Sequence, residues 1–181
     1  MAHQQQQDFC HQVKAMFPEY FDRGYVLDIG SLDINGSNRN YFTGSAKYVG
    51  IDVAEGKNVD IVCPAHQFRI KNEQFDTIIS TECFEHDMFY KESLINICHN
   101  LLKSGGLFLF TCATTGRPEH GTRRTSPHDA PLLSGEWSDY YKNLTEADIR
   151  EAVNIDEVFR EFYFFARKDW PQDLYFWGIK K

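Results

Sequence analysis

The sequence predicts a single α/β domain in which helices cover both faces of a seven-stranded, mostly parallel sheet, forming a three-layer sandwich. Short apolar runs alternate with helical segments along most of the chain, an order that builds a parallel sheet. Two aromatic runs near the C-terminus, residues 161–166 and 173–179, are separated only by residues 167–172. Because parallel strands need a crossover of about a dozen residues, these runs must form a hairpin, which makes the last strand antiparallel.

The composition fits one domain, residues 1–181, with 42% hydrophobic residues and a net charge of −7. This charge argues against an extended nucleic-acid surface. The five cysteines are scattered and odd in number, which indicates reduced thiols rather than disulfides. No segment has the pattern of a signal peptide or approaches the roughly 20 apolar residues of a membrane span. We therefore expect a cytoplasmic protein without membrane association, and the oligomeric state stays open.

The first part of the predicted sheet is a strand, a glycine turn and a second strand. A helix over residues 8–20, with apolar residues at Phe9, Val13, Met16 and Phe17, is expected to end or bend at Pro18. The strand at residues 25–29 then leads into Gly30, where a ligand can approach the backbone, and the strand at residues 48–51 stops at Asp52. An acidic side chain about 20 residues beyond a glycine turn is placed to accept hydrogen bonds from a ribose. The pattern predicts a nucleoside-cofactor site.

The glycine turn lacks the G-x-G-x-x-G motif of dinucleotide-binding sheets. The next glycine after Gly30 is Gly36, and the intervening loop carries Asp33, which makes it a poor cradle for phosphates. Residues 35–37 form a predicted turn before a brief helix that extends to about residue 42.

The remaining strands are expected at residues 59–62, 75–80 and 107–112. A helix over residues 88–103 precedes the fifth strand, and the glycines at 105 and 106 are placed to end it. A further helix begins at Thr145, where Asp148 completes a capping box and Leu144 packs on Ile149.

Four segments resemble the ordered motifs of class I S-adenosylmethionine-dependent methyltransferases: VLDIGS, YVGID, FDTIIST and LLKSGGLFLFTC. The resemblance implies a Rossmann-like fold, S-adenosyl-L-methionine as the cofactor and S-adenosyl-L-homocysteine as its product. Acidic residues near the loop are compatible with this zwitterionic cofactor, whereas they would repel the pyrophosphate of a dinucleotide. The cofactor-binding residues that the resemblance and the pattern together indicate are Asp28, Gly30, Ser31, Asp52, Val53, Ala65, His66, Thr81 and Glu82.

Two departures from common methyltransferase patterns narrow the function. Pro64 stands where many of these enzymes have an Asp for the adenine amino group, so adenine is expected to rest on the backbone at Ala65 and His66. Residues 81–84 lack the Asn/Asp-Pro-Pro-aromatic motif, which argues against common amine targets. The pair Glu85 and His86 resembles the Glu-His pair that small-molecule methyltransferases of this broad class carry after the fourth strand. His86 is the candidate general base, or it packs over the cofactor or caps the next helix.

Residues 113–143 form a long irregular segment that leaves the fifth strand and is the predicted acceptor-binding wall. Its candidate substrate-binding residues are Arg123, Arg124, Tyr140 and Tyr141, and its candidate alternative bases are His120 and His128. The competing interpretation is that the two arginines only keep the loop soluble. We expect no metal site, because a pair of His120 and His128 has neither a nearby cysteine nor an i, i+4 spacing.

The sequence therefore predicts methyl transfer from S-adenosylmethionine to a small molecule or a sugar, on oxygen. An anionic or phosphate group on the acceptor would suit the two arginines. Two alternatives stay open: a nicotinamide-dependent oxidoreductase, and a non-catalytic S-adenosylmethionine-binding regulatory module.

Overall fold

A computed structural model describes residues 3–42, 46–71 and 74–181. Within these residues the sheet has seven strands in the order β3-β2-β1-β4-β5-β7-β6. The strand bounds are β1 Tyr25–Ile29, β2 Lys47–Asp52, β3 Ile61–Val62, β4 Phe75–Thr81, β5 Leu102–Ala113, β6 Phe159–Ala166 and β7 Asp173–Lys180. Strand β7 is antiparallel to both neighbours, whereas the pairs formed among β1 to β5 are parallel. The predicted fold and C-terminal hairpin are confirmed.

Helices cover the two faces of the sheet, giving the predicted three layers. On one face lie α1 (Gln4–Met16) and α2 (Glu19–Asp22), and Val13 and Phe21 pack with sheet residues into one core cluster. On the other face lie α3 (Tyr90–Asn96), which a π-helical turn extends over Ile97–Leu101, then α4 (Glu146–Ala152) and α5 (Ile155–Val158). Leu94 and Ile149 belong to the second core cluster.

The N-terminal helical region differs from the prediction at its start and on its buried face. Helix α1 begins at Gln4 rather than at residue 8, and the chain breaks before α2 at Pro18, as predicted. The predicted apolar position Met16 is 51% exposed, and Cys10 is fully buried on this face. The buried stripe is therefore Gln6, Cys10 and Val13.

The boundary between α3 and β5 is the largest difference from the prediction. The helical region ends at Leu101, and Leu102 already pairs with Phe75 on β4. The next pair joins Thr77 to Leu107, so the chain bulges outward between these pairs. Gly105, with φ +77°, serves this bulge and does not end the helix.

Strand β3 is shorter than the predicted segment 59–62. The Val59 amide donates to the Gly56 carbonyl in a turn, so Val59 does not join the sheet. Asp60 is tied to β2 through Gly50 in two ways, because its amide donates to the Gly50 carbonyl at 2.8 Å and the Gly50 amide donates to its carboxylate at 2.7 Å. Among the described helices, none has the length and hydropathy needed to cross a bilayer.

Candidate cofactor and acceptor site

A cavity of about 310 Å³ opens where β1 and β4 end at the same edge of the sheet. This is the point at which the strand order changes direction, and ligands of open α/β sheets bind in such crevices. Six of the nine predicted cofactor residues line the cavity or its floor: Asp28, Gly30, Ser31, Asp52, Thr81 and Glu82. The fold thus brings together side chains from β1, β2 and β4.

Gly30 is required by the turn that follows β1. Its φ is +74°, and a Cβ there would lie 2.5 Å from the Cys83 sulfur. The amides of Gly30 and Ser31 both donate to the Ile51 carbonyl, which ties the turn to β2. The Ser31 hydroxyl donates to the Asn58 carbonyl at 3.1 Å. The turn therefore keeps an open backbone surface towards the cavity.

Asp52 ends β2 with its carboxylate at the cavity wall. One oxygen accepts the Leu32 amide at 3.1 Å and the other accepts the Val53 amide at 2.8 Å. Each carboxylate oxygen can accept a further hydrogen bond. Burial raises the pKa of this carboxyl above its usual range. Two ribose hydroxyls would supply the donors that the carboxylate can still accept.

Asp28 lies at the base of the cavity and is 1% exposed. Its oxygens accept the Asn38 amide group at 2.9 Å and the Tyr48 hydroxyl at 2.5 Å. Burial outweighs these two hydrogen bonds and raises its pKa to about 6. Asn38 also donates to the Thr81 hydroxyl oxygen at 3.0 Å, which couples the ends of β1 and β4.

A smaller hollow of about 50 Å³ adjoins the cavity and has a mostly apolar wall. Val53 and Ala65 line it together with Ile29, Leu133 and Trp137. This wall suits a flat aromatic base. His66 instead packs against Phe89, with the ring centroids 4.3 Å apart and the rings tilted by 32°, and does not line either hollow.

The Glu82 carboxylate points into a buried charged cluster beneath the cavity. It accepts the Thr111 hydroxyl at 2.8 Å and lies 3.9 Å from Arg117. The same cluster contains His3, whose Nε2 is 2.8 Å from Asp173. Glu82 therefore lines the cavity, but its carboxylate already interacts with Thr111 and Arg117.

The predicted base His86 lies at the cavity wall and is 6% exposed. Burial, with a smaller contribution from the charge of His120, lowers its pKa to about 3, so the ring is neutral at physiological pH. The rings of His120 and Tyr141 lie 5.0 and 5.5 Å from it. His128 is elsewhere, with its side chain 79% exposed and paired to Asp129.

The segment 113–143 lies over the cavity through residues 129–133, which form part of its wall. Arg123 and Arg124 point away, with side chains 62% and 55% exposed, and both pair with Asp139. Arg124 also pairs with Glu119. Among the predicted substrate-binding residues, Tyr141 is near the candidate base and Tyr140 is not in the cavity wall.

Sequence reasoning missed the contribution of α1 to the cavity. Gln6, Gln7 and His11 line it, although a run of four glutamines near the N-terminus has no pattern that indicates a binding site. The signal available was the continuation of helical spacing from Val13 back to Gln6 through Cys10. Asn38 and Tyr48 were missed because their roles depend on tertiary contacts.

The sequence matches a protein family described as a methyltransferase domain over residues 1–152. The chain belongs to this methyltransferase family. Together with the fold, this match confirms the predicted class, an S-adenosylmethionine-dependent methyltransferase of class I, with S-adenosylmethionine as the cofactor of that class. It rules against the nicotinamide-dependent alternative and supports an enzyme over a binding module. A comparison with curated proteins finds no match.

Solved structures of methyltransferases share the fold at low sequence identity. The Burkholderia thailandensis 1,6-didemethyltoxoflavin-N1-methyltransferase, with bound S-adenosylhomocysteine, has a TM-score of 0.65 and 15% identity over 97% of this chain and 78% of its own. The Synechocystis PCC 6803 magnesium protoporphyrin IX methyltransferase, with bound S-adenosylmethionine, has a TM-score of 0.62 and 11% identity over 98% and 80%. A Haloferax volcanii methyltransferase in complex with the Trm112 activator has a TM-score of 0.56 and 15% identity over 96% and 95%.

Proposed function

We propose that this protein transfers the methyl group of S-adenosylmethionine to an oxygen atom of a compact, hydroxyl-rich small molecule such as a sugar. The observation that supports this acceptor most strongly is the set of uncharged polar residues that line the cavity together with Asp28 and Asp52. Its amide and hydroxyl side chains are those of Gln6, Gln7, Asn35, Ser37, Asn38 and Asn40. Such groups form hydrogen bonds with hydroxyls, and few convergent polar groups suffice to orient a small ligand.

The residues at the sheet edge fit the cofactor. Asp52 retains acceptor capacity for the ribose hydroxyls, and the apolar wall beside Val53 and Ala65 offers a surface against which the base would pack. The open turn at Gly30 allows the amino-acid portion to approach the backbone. When bound, S-adenosylmethionine supplies an electrophilic methyl group on a sulfonium.

The chain then contributes mainly orientation and exclusion of water. The cavity is lined by α1 and by residues 129–133, which would fix the orientation of the acceptor relative to the sheet edge. Such alignment can supply roughly 7 to 11 kcal/mol of the barrier reduction. His86 is the proposed proton acceptor because it is the neutral imidazole at the wall, although a pKa of about 3 makes it a weak base.

The cavity wall favours a neutral acceptor over an anionic one. Among the described residues that line it, none is Lys or Arg. Arg123 and Arg124 are already paired to Asp139 outside the cavity. We therefore propose that these arginines order the loop and that the acceptor lacks a phosphate.

Incubation with methyl-labelled S-adenosylmethionine and a fractionated small-molecule extract, beside RNA and protein pools, tests the proposal. We expect label in a neutral, hydroxylated small molecule, with mass spectrometry placing the methyl group on oxygen. Label confined to RNA or protein would contradict the acceptor class, and label on nitrogen would contradict O-methylation. An Arg123→Ala, Arg124→Ala double variant should retain the acceptor KM of the unchanged protein.

A further inference from the structure

Three side chains with metal-binding atoms converge at the edge of the cavity. Glu85 and His86 lie in the 3₁₀ turn Phe84–His86 that follows β4, and His120 comes from the loop after β5. The His120 Nε2 lies 4.0 Å from a Glu85 carboxylate oxygen. One ligand atom from each of the three residues lies within 4.8 Å of the other two.

Each of these three side chains has a buried polar atom that lacks a hydrogen-bond partner among the described residues. The atoms are the second carboxylate oxygen of Glu85, Nδ1 of His86 and Nε2 of His120. Glu85 is fully buried and His86 is 6% exposed. An unpaired buried polar group costs free energy, and three at one point indicate a ligand that would satisfy them.

Hydrogen bonds to the backbone orient two of these side chains, His120 and Glu85. The Nδ1 of His120 lies 3.2 Å from the Pro118 carbonyl, so this nitrogen carries the proton and Nε2 faces Glu85 with its lone pair. The Ala113 amide donates to Glu85 at 3.2 Å and fixes the carboxylate. Metal-binding histidines commonly donate their other ring N–H to a carbonyl in this manner.

Gly121 allows the loop to approach His86 closely. Its φ is +71°, and a Cβ at this position would lie 2.5 Å from Cε1 of His86. Only glycine places the backbone that carries His120 against the imidazole of His86 without strain.

We propose that Glu85, His86 and His120 bind a divalent transition-metal cation, for which Zn²⁺ is the matched probe. Two imidazole nitrogens and one carboxylate oxygen form a zinc donor set that leaves the fourth position open. Ligand atoms around tetrahedral zinc, with bonds of about 2.0–2.2 Å, lie roughly 3.5 Å apart. The 4.0 Å separation joins His120 Nε2 to Glu85 Oε1, the oxygen that also accepts the Ala113 amide. Glu85 would therefore bind the cation through Oε1 after a small inward shift of the loop, or through the unpaired Oε2.

A second group of metal-binding side chains is a poorer candidate. His3, Glu82 and Asp173 also converge, but Arg117 already lies 2.8 Å from Asp173. His3 forms its own 2.8 Å contact with the same carboxylate. These cations balance the acids, so a metal ion would have to displace them.

His86 lines the cavity wall, so a cation held by these three residues would lie at the edge of the cavity. Resting on the proposed function, and in place of direct proton removal by His86, the cation would bind the acceptor oxygen and lower the pKa of its hydroxyl. Metal binding itself is independent of methyl transfer and is measured without cofactor or acceptor.

The test is competition of the chelator-treated protein with a chromophoric chelator for Zn²⁺. We expect one Zn²⁺ per chain. His120→Ala should weaken binding by more than about tenfold, since loss of a ligand exceeds the roughly 10- to 100-fold effect of losing a supporting group. His128→Ala is the matched control, being a histidine of the same loop that is 79% exposed, and should bind as the unchanged protein does. Equal binding by the His120→Ala and unchanged proteins would overturn the proposal.

Two further measurements separate the site from misfolding and from the cysteines. Glu85→Gln preserves the side-chain shape and should also bind Zn²⁺ at least about tenfold more weakly, while circular dichroism verifies the fold of each variant. The Co²⁺-loaded unchanged protein should show the visible bands of nitrogen and oxygen ligation. Strong thiolate-to-cobalt absorption would place the ion on cysteines such as Cys83 and contradict the assignment.

Discussion

Asp28 is a carboxyl group whose ionisation the fold makes costly. It is almost fully buried, and burial raises its pKa to about 6 despite the hydrogen bonds from Tyr48 and Asn38. The folded protein therefore binds this proton more tightly than the unfolded chain does between about pH 4 and pH 6. In that window the contribution of Asp28 to stability falls as the pH rises.

Replacing Asp28 by Asn should remove this part of the pH dependence. The shift of about two pKa units corresponds to at most about 3 kcal/mol in the unfolding free energy between pH 4 and pH 7. Urea unfolding at several pH values should show the unchanged protein losing stability relative to Asp28→Asn across the window. Any loss of stability from placing the new side-chain amide of the Asp28→Asn variant against Asn38 would not depend on pH. Asp156→Asn, at an exposed carboxyl, is the control and should keep the original slope.

At the residue scale, the sequence predicted the groups whose roles follow from position along the chain. Gly30 and Asp52 were found because strand ends and their spacing are visible in the residue pattern. Asn38 and Tyr48 were not, because they meet Asp28 only after β2 packs beside β1. His120 was compared with His128, its neighbour in sequence, whereas the folded loop places it beside Glu85 and His86.

Among the helices and strands, too, boundaries set by neighbouring residues were predicted, and boundaries set by tertiary contacts were not. The capping box of α4 forms as predicted, with the Thr145 hydroxyl oxygen and the Asp148 carboxylate each accepting the other's backbone amide. It depends only on neighbouring residues. The start of β5 was mispredicted because it depends on pairing of Leu102 with Phe75 on another strand.

Thr145→Ala should destabilise the protein by about 1 kcal/mol, the usual cost of losing an N-cap. Denaturant unfolding at constant pH measures this loss as a lower midpoint with an unchanged slope. Thr115→Ala, at an exposed threonine, should leave the midpoint within about 0.5 kcal/mol of the original. Equal midpoints for both variants would show that the cap contributes nothing.

The loop over the cavity should become less mobile when the cofactor site is filled. Arg123 and Arg124 are exposed trypsin sites, and residues 129–133 of the same loop line the cavity. We expect S-adenosylhomocysteine to slow cleavage at these arginines severalfold. Cleavage at the exposed Lys168, in the distant hairpin turn, should keep its rate. Equal slowing of cleavage at the arginines and at Lys168 would indicate a global stabilisation. Unchanged cleavage at the arginines would show that cofactor binding does not order this loop.

At the scale of the whole molecule, the topology was the most predictable feature. The short connection between β6 and β7 allows only an antiparallel pair, and alternating apolar runs and helices specify the parallel part. The acceptor was the least predictable feature. The cavity wall proposed to bind it combines α1, the segment after β1 and residues 129–133, which are far apart in sequence.

Calorimetric titration with S-adenosylhomocysteine tests the central claim most directly, that this sheet edge binds the cofactor through Asp52. The unchanged protein and Glu55→Ala, an exposed acid nearby, should bind with equal affinity, whereas Asp52→Ala should lose on the order of 1 to 3 kcal/mol as the ribose pairing disappears. Circular dichroism should show both variants folded. Binding of NADH in place of S-adenosylhomocysteine, or unchanged affinity in a folded Asp52→Ala protein, would contradict the account.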